Sequence, residues 1–333
     1  VAAGTGEGRT IATREAVGTL ERHGLSDVAA RLLRSEIDRG MAASGGDWLH
    51  LGRLLVSSGK PDDATVAFAR SIEREGSADD AVLRVADAWF RTGRPSRVVD
   101  LLAPRLEQGA MRNPELCLAL GRALHETGDD HAEFEAYRKV AAAAGNAGEL
   151  WLRVGDSLLA RPDAMRAHAA YAEAAQLART PEQTALAHVG LAEAGLILRR
   201  TERVDVERNL LSALAAAGGN AQVVKRVERV SNRMGPSAGL LVAVLERQAQ
   251  AEPGRPDTWL KLANAYIDSN RVTEALGAYR QYLKSSDEPK AALRSAVGVL
   301  LKGRHNAVAI RLVQGAVTSG NVAPDVAESV GKA

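Results

Sequence analysis

Residues 256–289 of this chain read PDTWLKLANAYIDSNRVTEALGAYRQYLKSSDEP, and this stretch decides the fold. Apolar residues recur there at the spacing i, i+3, i+4 and i+7, which places them on one face of a helix. In the first half of the stretch these residues are Trp259, Leu262, Ala263 and Tyr266. After the polar turn at 268–271, the second half has Ala275, Tyr279 and Tyr282. The stretch therefore predicts two short amphipathic helices joined by a tight turn.

The same spacing recurs in phase along the chain, with a period of about 34 residues, the length of one helix–turn–helix repeat. The recurring positions are Trp48, Leu51, Gly52, Leu55, Ala64 and Phe68; Val82, Val85, Ala86, Trp89, Val98 and Leu102; Cys117, Leu120, Gly121, Leu124 and Tyr137; and Trp151, Val154, Gly155, Leu158, Ala167 and Tyr171. Weaker copies lie at both ends of the chain. Aromatic residues form only 4% of the sequence, and most of them fall on these positions, so the recurrence is not due to chance.

A unit with Trp, Leu, Gly or Ala, and Tyr in its first helix, and Ala and Phe or Tyr in its second, resembles the tetratricopeptide repeat. The resemblance implies an all-α fold, a right-handed superhelical solenoid of about eight or nine helical pairs, whose role is to bind other proteins. We expect regular repeats at 10–178, degenerate pairs at 179–255 and C-terminal repeats at 256–322. Residues 1–9, which are rich in glycine, are expected to be disordered, and 323–333 to form a capping helix.

The segment 179–255 departs from the repeat pattern. Glu193 stands where a large apolar residue is expected, and an insertion at 199–203 displaces the following helix. We interpret this segment as degenerate pairs that continue the solenoid. The alternative is a boundary between two subdomains near Gly218 and Gly219.

The amino-acid composition limits the classes of function that the protein can have. The 333 residues are 46% hydrophobic and 25% charged, with a formal net charge of +2, which indicates a folded chain and argues against nonspecific nucleic-acid binding. No apolar run reaches the roughly 18 residues that cross a bilayer. The abundance of Ala, and of Arg over Lys, resembles bacterial sequences. The compartment stays open between the cytoplasm and, if a leader has been removed, the periplasm, and the oligomeric state is not predicted.

No motif supports catalysis. The string Gly235-Pro236-Ser237-Ala238-Gly239 matches a nucleophile elbow formally, but such an elbow needs a preceding strand, whereas a helix is predicted here. His125 and His131, with Glu126, Asp129 and Asp130, lack the spacing of helical metal ligands, so we interpret them as a solvated loop. Cys117 takes the position of a core Trp and is expected to be a packed thiol. We therefore expect no enzyme activity, no cofactor and no metal.

The resemblance does imply a binding surface. In tetratricopeptide repeats the first helices line a concave groove, and the positions beside the core stripe point into it. Transferred to this chain, the groove residues are His50, Arg53, Arg84, Asp87, Arg91, Arg122, His125, Arg153, Asp156, His188, Lys261 and Asn264. The five arginines suit an acidic or carboxylate-terminated protein segment. The alternative is that Arg84 with Asp87, and Arg153 with Asp156, form i, i+3 pairs on a solvated face.

The resemblance thus favours a noncatalytic scaffold or adaptor in a bacterial multiprotein assembly. One alternative is a periplasmic part of an exopolysaccharide synthesis and export machine, or of a secretion machine, that recruits an enzyme or guides the polymer. Another is a helical glycan-binding protein or enzyme with a pocket in 180–255. Few aromatic residues are left for stacking on sugars once the signature positions are filled, which argues against glycan binding.

Overall fold

The computed structural model describes residues 6–143, 145–198, 201–218, 220–235 and 237–317, together with residues 326 and 331. Over these residues the chain forms eighteen α-helices and no strand, which confirms the all-α class. The helices are α1 (Gly6–Arg22), α2 (Ser26–Asp38), α3 (Gly45–Ser57), α4 (Pro61–Arg74), α5 (Asp79–Arg91), α6 (Pro95–Glu107), α7 (Pro114–Glu126), α8 (Asp130–Ala143), α9 (Ala147–Ala160), α10 (Ala164–Leu177), α11 (Pro181–Leu198), α12 (Arg203–Ala216), α13 (Ala221–Met234), α14 (Ala238–Ala251), α15 (Pro256–Asp268), α16 (Val272–Ser285), α17 (Pro289–Lys302) and α18 (Asn306–Val317).

The chain divides into two compact units, residues 1–146 with α1–α8 and residues 147–333 with α9–α18. Within each unit the helices pair as hairpins, and every helix packs on its neighbours in sequence. First helices of successive hairpins also pack on each other, as α3 does on α5 and α5 on α7. This short-range packing is that of a repeat solenoid.

The boundary between the units differs from both sequence expectations. It follows Asn146, inside the segment expected to be one regular block at 10–178. It does not lie near Gly218, because α11, α12, α13 and α14 pack on one another across that position. The regular spacing of the hairpins along the sequence continues across the boundary after Asn146, so this spacing does not reveal where one unit ends.

The sequence predicts a disordered segment at the start of the chain and a capping helix at its end. Helix α1 begins at Gly6, so the expectation of a disordered segment at 1–9 is wrong for residues 6–9, where Glu7 in the first turn favours the helix N-terminus. The expected capping helix at 323–333 falls outside the described residues except for Val326 and Gly331. Val326 is buried against the core of the last hairpins.

Glycines and aromatic rings pack the hairpins together. A Cβ on Gly52 would lie 2.3 Å from the Phe68 ring, and one on Gly155 would lie 2.6 Å from the Tyr171 ring. Real Cβ atoms do not approach other atoms so closely, so only glycine lets the second-helix ring reach the first helix. Phe68, Tyr137, Tyr171 and Tyr279 are accordingly at most 2% exposed.

The tryptophans follow the expected pattern only in part. Trp151 is buried, but Trp48 and Trp259 are half-buried, which corrects the expectation that all three are core residues. The Trp259 indole nitrogen donates a hydrogen bond to the carbonyl of Pro253, 2.8 Å away. This indole therefore packs along the loop that enters α15 and keeps one edge outside the core.

The turns inside the hairpins use a left-handed residue. Gly59, Gly93 and Gly128 have φ of 75°, 66° and 87°, which glycine adopts without the steric cost of a Cβ. Asn270 takes the same role after α15 with φ of 58°. These positions end each first helix and direct the chain into the second.

Helix α3 begins with a capping box buried under an arginine. The Ser44 hydroxyl accepts a hydrogen bond from the Asp47 backbone, and the Asp47 carboxylate accepts one from the Ser44 backbone. Arg14 of α1 donates two further hydrogen bonds to Asp47, at 2.7 and 2.6 Å. Burial works to raise the pKa of Asp47, but the hydrogen bonds from Arg14 and Ser44 outweigh it and lower that pKa.

Candidate functional site

Three arginines expected in the groove lie on the first helices of unit 1 and are exposed. Arg84 pairs with Glu75, Arg91 with Asp87 at 2.8 Å, and Arg122 with Glu126 at 2.7 Å. The i, i+3 pairing of Arg84 with Asp87 is therefore wrong. Exposed ion pairs of this kind stabilise a protein by at most about 1 kcal/mol, so these guanidinium groups can exchange their partners at little cost.

The Arg122 guanidinium also lies over a ring of the preceding first helix. Its central carbon is 4.1 Å from the centroid of the Phe90 ring, a distance at which a cation is attracted to an aromatic face. This contact links α7 to α5 on the side where Arg122 is exposed.

Helix α3 carries two further residues expected in the groove, His50 and Arg53. The His50 ring contacts Glu21 of α1, with Nε2 2.8 Å from the carboxylate. The Arg53 Nε atom is buried and, among the described residues, no acceptor lies within hydrogen-bond distance of it. A buried donor without an acceptor costs free energy comparable to a lost hydrogen bond. Among the groove arginines expected in unit 1, only Arg53 has a buried donor for which the described residues provide no acceptor.

His125 lies at the end of α7 and faces the start of α8. Its Nδ1 atom is 2.7 Å from an Asp130 oxygen and 4.0 Å from a Glu133 oxygen. The other residues weighed there as ligands lie elsewhere, because Glu126 pairs with Arg122 and Asp129 caps α8 through the Ala132 amide. Sequence reasoning missed Glu133, since a glutamate in the first turn of a helix is normally solvated.

In unit 2, the expected pair of Arg153 with Asp156 is also wrong. Arg153 contacts Glu149 at 3.3 Å. Asp156 instead accepts a hydrogen bond from Arg226 of α13 at 3.1 Å and one from the Tyr171 hydroxyl at 2.6 Å. The residue that binds Asp156 is therefore 70 positions away in sequence.

Arg226 is the centre of a polar cluster that joins four helices. Its guanidinium contacts Asp156 of α9, the hydroxyl of Tyr171 of α10 and, at 3.0 Å, Glu193 of α11. The side chains of Arg226 and Glu193 are only 17% and 16% exposed. This cluster explains why Glu193 takes a position where the repeat pattern has an apolar residue. Burial, as the largest effect, raises the pKa of the Tyr171 hydroxyl above its ordinary range.

The remaining groove candidates of unit 2 also have partners or line a cleft. His188 contacts Asn209, with Nδ1 2.9 Å from the amide oxygen, and Asn264 accepts a 2.6 Å hydrogen bond from Tyr279. Lys261 lines a cleft of about 190 Å³ beside Lys225 and Glu228. The cleft is smaller than the roughly 300–1,000 Å³ of most small-molecule sites.

Two motifs that resembled chemistry have structural roles. Ser237 caps α14 by accepting a hydrogen bond from the Leu240 amide, and the segment before it is helix α13, as expected; Pro236 lies outside the described residues. Cys117 is fully buried, and burial raises the pKa of its thiol to about 12. The expectation of a packed thiol is confirmed.

The hairpin geometry and its glycine–aromatic contacts agree with comparison to known families. The tetratricopeptide repeat family model matches residues 49–97 and 239–327. The first segment covers most of α3 together with α4 and α5, and the second includes α15–α18. These two segments are similar to tetratricopeptide repeats. Since tetratricopeptide repeats bind proteins and are generally non-catalytic, a protein-interaction scaffold is the function class that this family supports.

A crystal structure of the C-terminal part of a TPR repeat-containing protein from Cytophaga hutchinsonii is 14% identical, over 65% of this chain and 87% of that chain, with a TM-score of 0.36. No curated protein matches the sequence significantly. Across the described residues, no helix has the length and apolar character needed to span a membrane.

Proposed function

We propose that the first helices of unit 1 form a binding face for an acidic segment of a protein partner. Helices α3, α5 and α7 pack in series and carry Arg53, Arg84 and Arg122. The guanidinium forks of these residues suit carboxylates, which they bind through two parallel hydrogen bonds. The proposal is confined to unit 1, and a contribution of Arg153, Asp156, His188, Lys261 or Asn264 stays a prediction from the sequence.

The observation that carries the proposal is the buried Nε of Arg53. Arginines elsewhere on the face have carboxylate partners within the chain, whereas no acceptor among the described residues reaches this atom. Because the Arg53 side chain as a whole is only half-buried, it can turn outwards and present Nε to a carboxylate of a partner, which would remove the cost of leaving this donor unmet. Arg84 and Arg122 would add further contacts by exchanging Glu75 and Glu126 for carboxylates of the partner.

A place in a bacterial assembly for exopolysaccharide export or secretion stays a prediction from the sequence. The alternative of a glycan-binding protein or enzyme gains no support from the small cleft beside Lys225 and Lys261.

Titration with a fluorescent peptide of eight glutamates tests the proposal. The test variant changes Arg53, Arg84 and Arg122 to Gln in the full chain. The matched control changes Arg70, Arg97 and Arg138 to Gln, which removes the same charge from the second helices α4, α6 and α8, where each of these arginines also forms an ion pair. We expect the test variant to bind at least about tenfold more weakly than wild type, the effect of losing one or two charged hydrogen bonds.

Circular dichroism must show that both triple variants keep the helical content of wild type. The proposal is supported if the control binds within about twofold of wild type, since only one face is then used. It is refuted if both variants lose affinity equally, or if neither does.

A further inference from the structure

The hairpin α7–α8 buries a carboxylate where equivalent hairpins bury a small apolar side chain. Glu133 is 0% exposed. The residue four positions before the core ring of the second helix is alanine in α4, α10 and α16, namely Ala64, Ala167 and Ala275, and each of these is also 0% exposed. A buried carboxylate is costly unless hydrogen bonds or a cation compensate it, so the groups around Glu133 decide whether it is tolerated there.

One of its oxygens has a clear partner. The Tyr137 hydroxyl donates a 2.8 Å hydrogen bond to Glu133 Oε1. In α10 and α16 the corresponding hydroxyls of Tyr171 and Tyr279 donate instead to Asp156 and Asn264 of the first helix. The equivalent first-helix position in α7 holds Arg122, which is not an acceptor, so Glu133 takes over that role.

The second oxygen faces the turn between the helices. Glu133 Oε2 lies 4.0 Å from His125 Nδ1, and the same nitrogen lies 2.7 Å from Asp130 Oδ1. One ligand atom from each of the three residues falls within 4.8 Å of the other two. The three side chains converge from the end of α7 and the first turn of α8.

We propose that His125, Asp130 and Glu133 bind a divalent transition-metal ion such as Zn²⁺. An imidazole nitrogen and two carboxylate oxygens form a donor set that such ions accept, with a remaining position for water. The Tyr137 hydroxyl acts as an outer partner that orients the Glu133 carboxylate, as metal-binding carboxylates require. His125 is half-buried and Asp130 is exposed, so solvent has access to the site.

The ion would join the end of α7 to the first turn of α8 and so hold the turn between them. Mg²⁺ and Ca²⁺ prefer all-oxygen ligand sets, so the imidazole favours transition metals over them. This inference does not depend on the proposed binding face, although His125 was also expected in the groove.

The test compares thermal unfolding of the full chain in EDTA and in Zn²⁺, with equilibrium dialysis for stoichiometry. Glu133→Gln is the informative variant, because its amide oxygen still accepts from Tyr137 while the charge that binds the metal is lost. His131→Ala is the matched control, since it removes a neighbouring exposed histidine outside the site. We expect wild type and His131→Ala each to bind one more Zn²⁺ than Glu133→Gln does. Saturating Zn²⁺ should raise the Tm of wild type and of His131→Ala by about 3 °C or more.

Glu133→Gln should show neither the rise nor the additional ion. Mg²⁺ or Ca²⁺ added to wild type should likewise produce no rise. The proposal is overturned if Zn²⁺ leaves the wild-type Tm unchanged, or if Glu133→Gln binds Zn²⁺ and responds as wild type does.

Discussion

At the scale of single residues, the fold depends on close contacts between glycines and tyrosine or phenylalanine rings. Tyr171 shows this best, because it packs against two glycines, Gly155 of α9 and Gly190 of α11. The ring therefore joins its own hairpin to the next one. Such contacts leave no room for an added methyl group.

We predict that Gly155→Ala destabilises unit 2 by about 1–3 kcal/mol, the usual cost of overpacking a core. The added Cβ would lie 2.6 Å from the Tyr171 ring. Gly277→Ala is the control: Gly277 is an exposed residue inside α16, and a Cβ added there would meet no atom within 4 Å, so alanine should stabilise by up to about 1 kcal/mol. Urea unfolding measures both, and equal destabilisation by the two changes would contradict the packing account.

A second prediction at this scale concerns Cys117. Because burial raises the pKa of its thiol to about 12, the thiolate is scarce at neutral pH and the sulfur is inaccessible. A thiol-specific reagent at pH 8 should label the folded protein negligibly, and label one thiol per chain after unfolding in guanidinium. Rapid labelling of the folded protein would show that the thiol is not packed.

At the scale of helices, buried polar contacts fix how neighbouring elements meet. Arg14 holds the capping box of α3 through Asp47, and Arg226 of α13 joins Asp156, Tyr171 and Glu193 on three other helices. The local sequence does not reveal either contact, because the partners are 33 and up to 70 residues apart.

For Asp47, we predict a pH-dependent loss of stability. Its folded-state pKa is lowered, so its stabilising contribution is complete above the unfolded pKa of about 3.9 and is lost as the pH falls through the folded pKa. Asp47→Asn should therefore cost about 1–3 kcal/mol at pH 7, and the difference from wild type should shrink below about pH 4. Denaturant unfolding across this range measures it, and a difference that does not depend on pH would be contrary to expectation.

For Arg226, we predict that a single change is worse than a double one. Arg226→Met leaves the carboxylate of Glu193 buried without its cation and should destabilise unit 2 by about 3 kcal/mol. Arg226→Met combined with Glu193→Leu replaces the pair by apolar side chains and should recover most of this loss. Urea unfolding measures the stability of both variants, and a double variant less stable than the single one would refute the account.

At the scale of the whole molecule, the hairpin repeat was predictable from sequence because its spacing places Tyr137, Tyr171 and Tyr279 on buried faces. The division after Asn146 was not, since the repeat spacing is the same on both sides of it. The burial of Glu133 was not predictable from sequence either, because it arises only when α7 and α8 pack against each other. The groove residues could be located on first helices, but their partners, such as Glu75 for Arg84, depend on the tertiary structure.

The central functional claim is that unit 1 binds through its first helices. Hydrogen exchange of the full chain, with and without the octaglutamate peptide, tests this claim most directly because it reports each helix separately. The account predicts that the peptide slows exchange in α3, α5 and α7 and leaves α4, α6 and α8 unchanged. Slower exchange confined to α4, α6 and α8, or no change in any of the six helices, would contradict it.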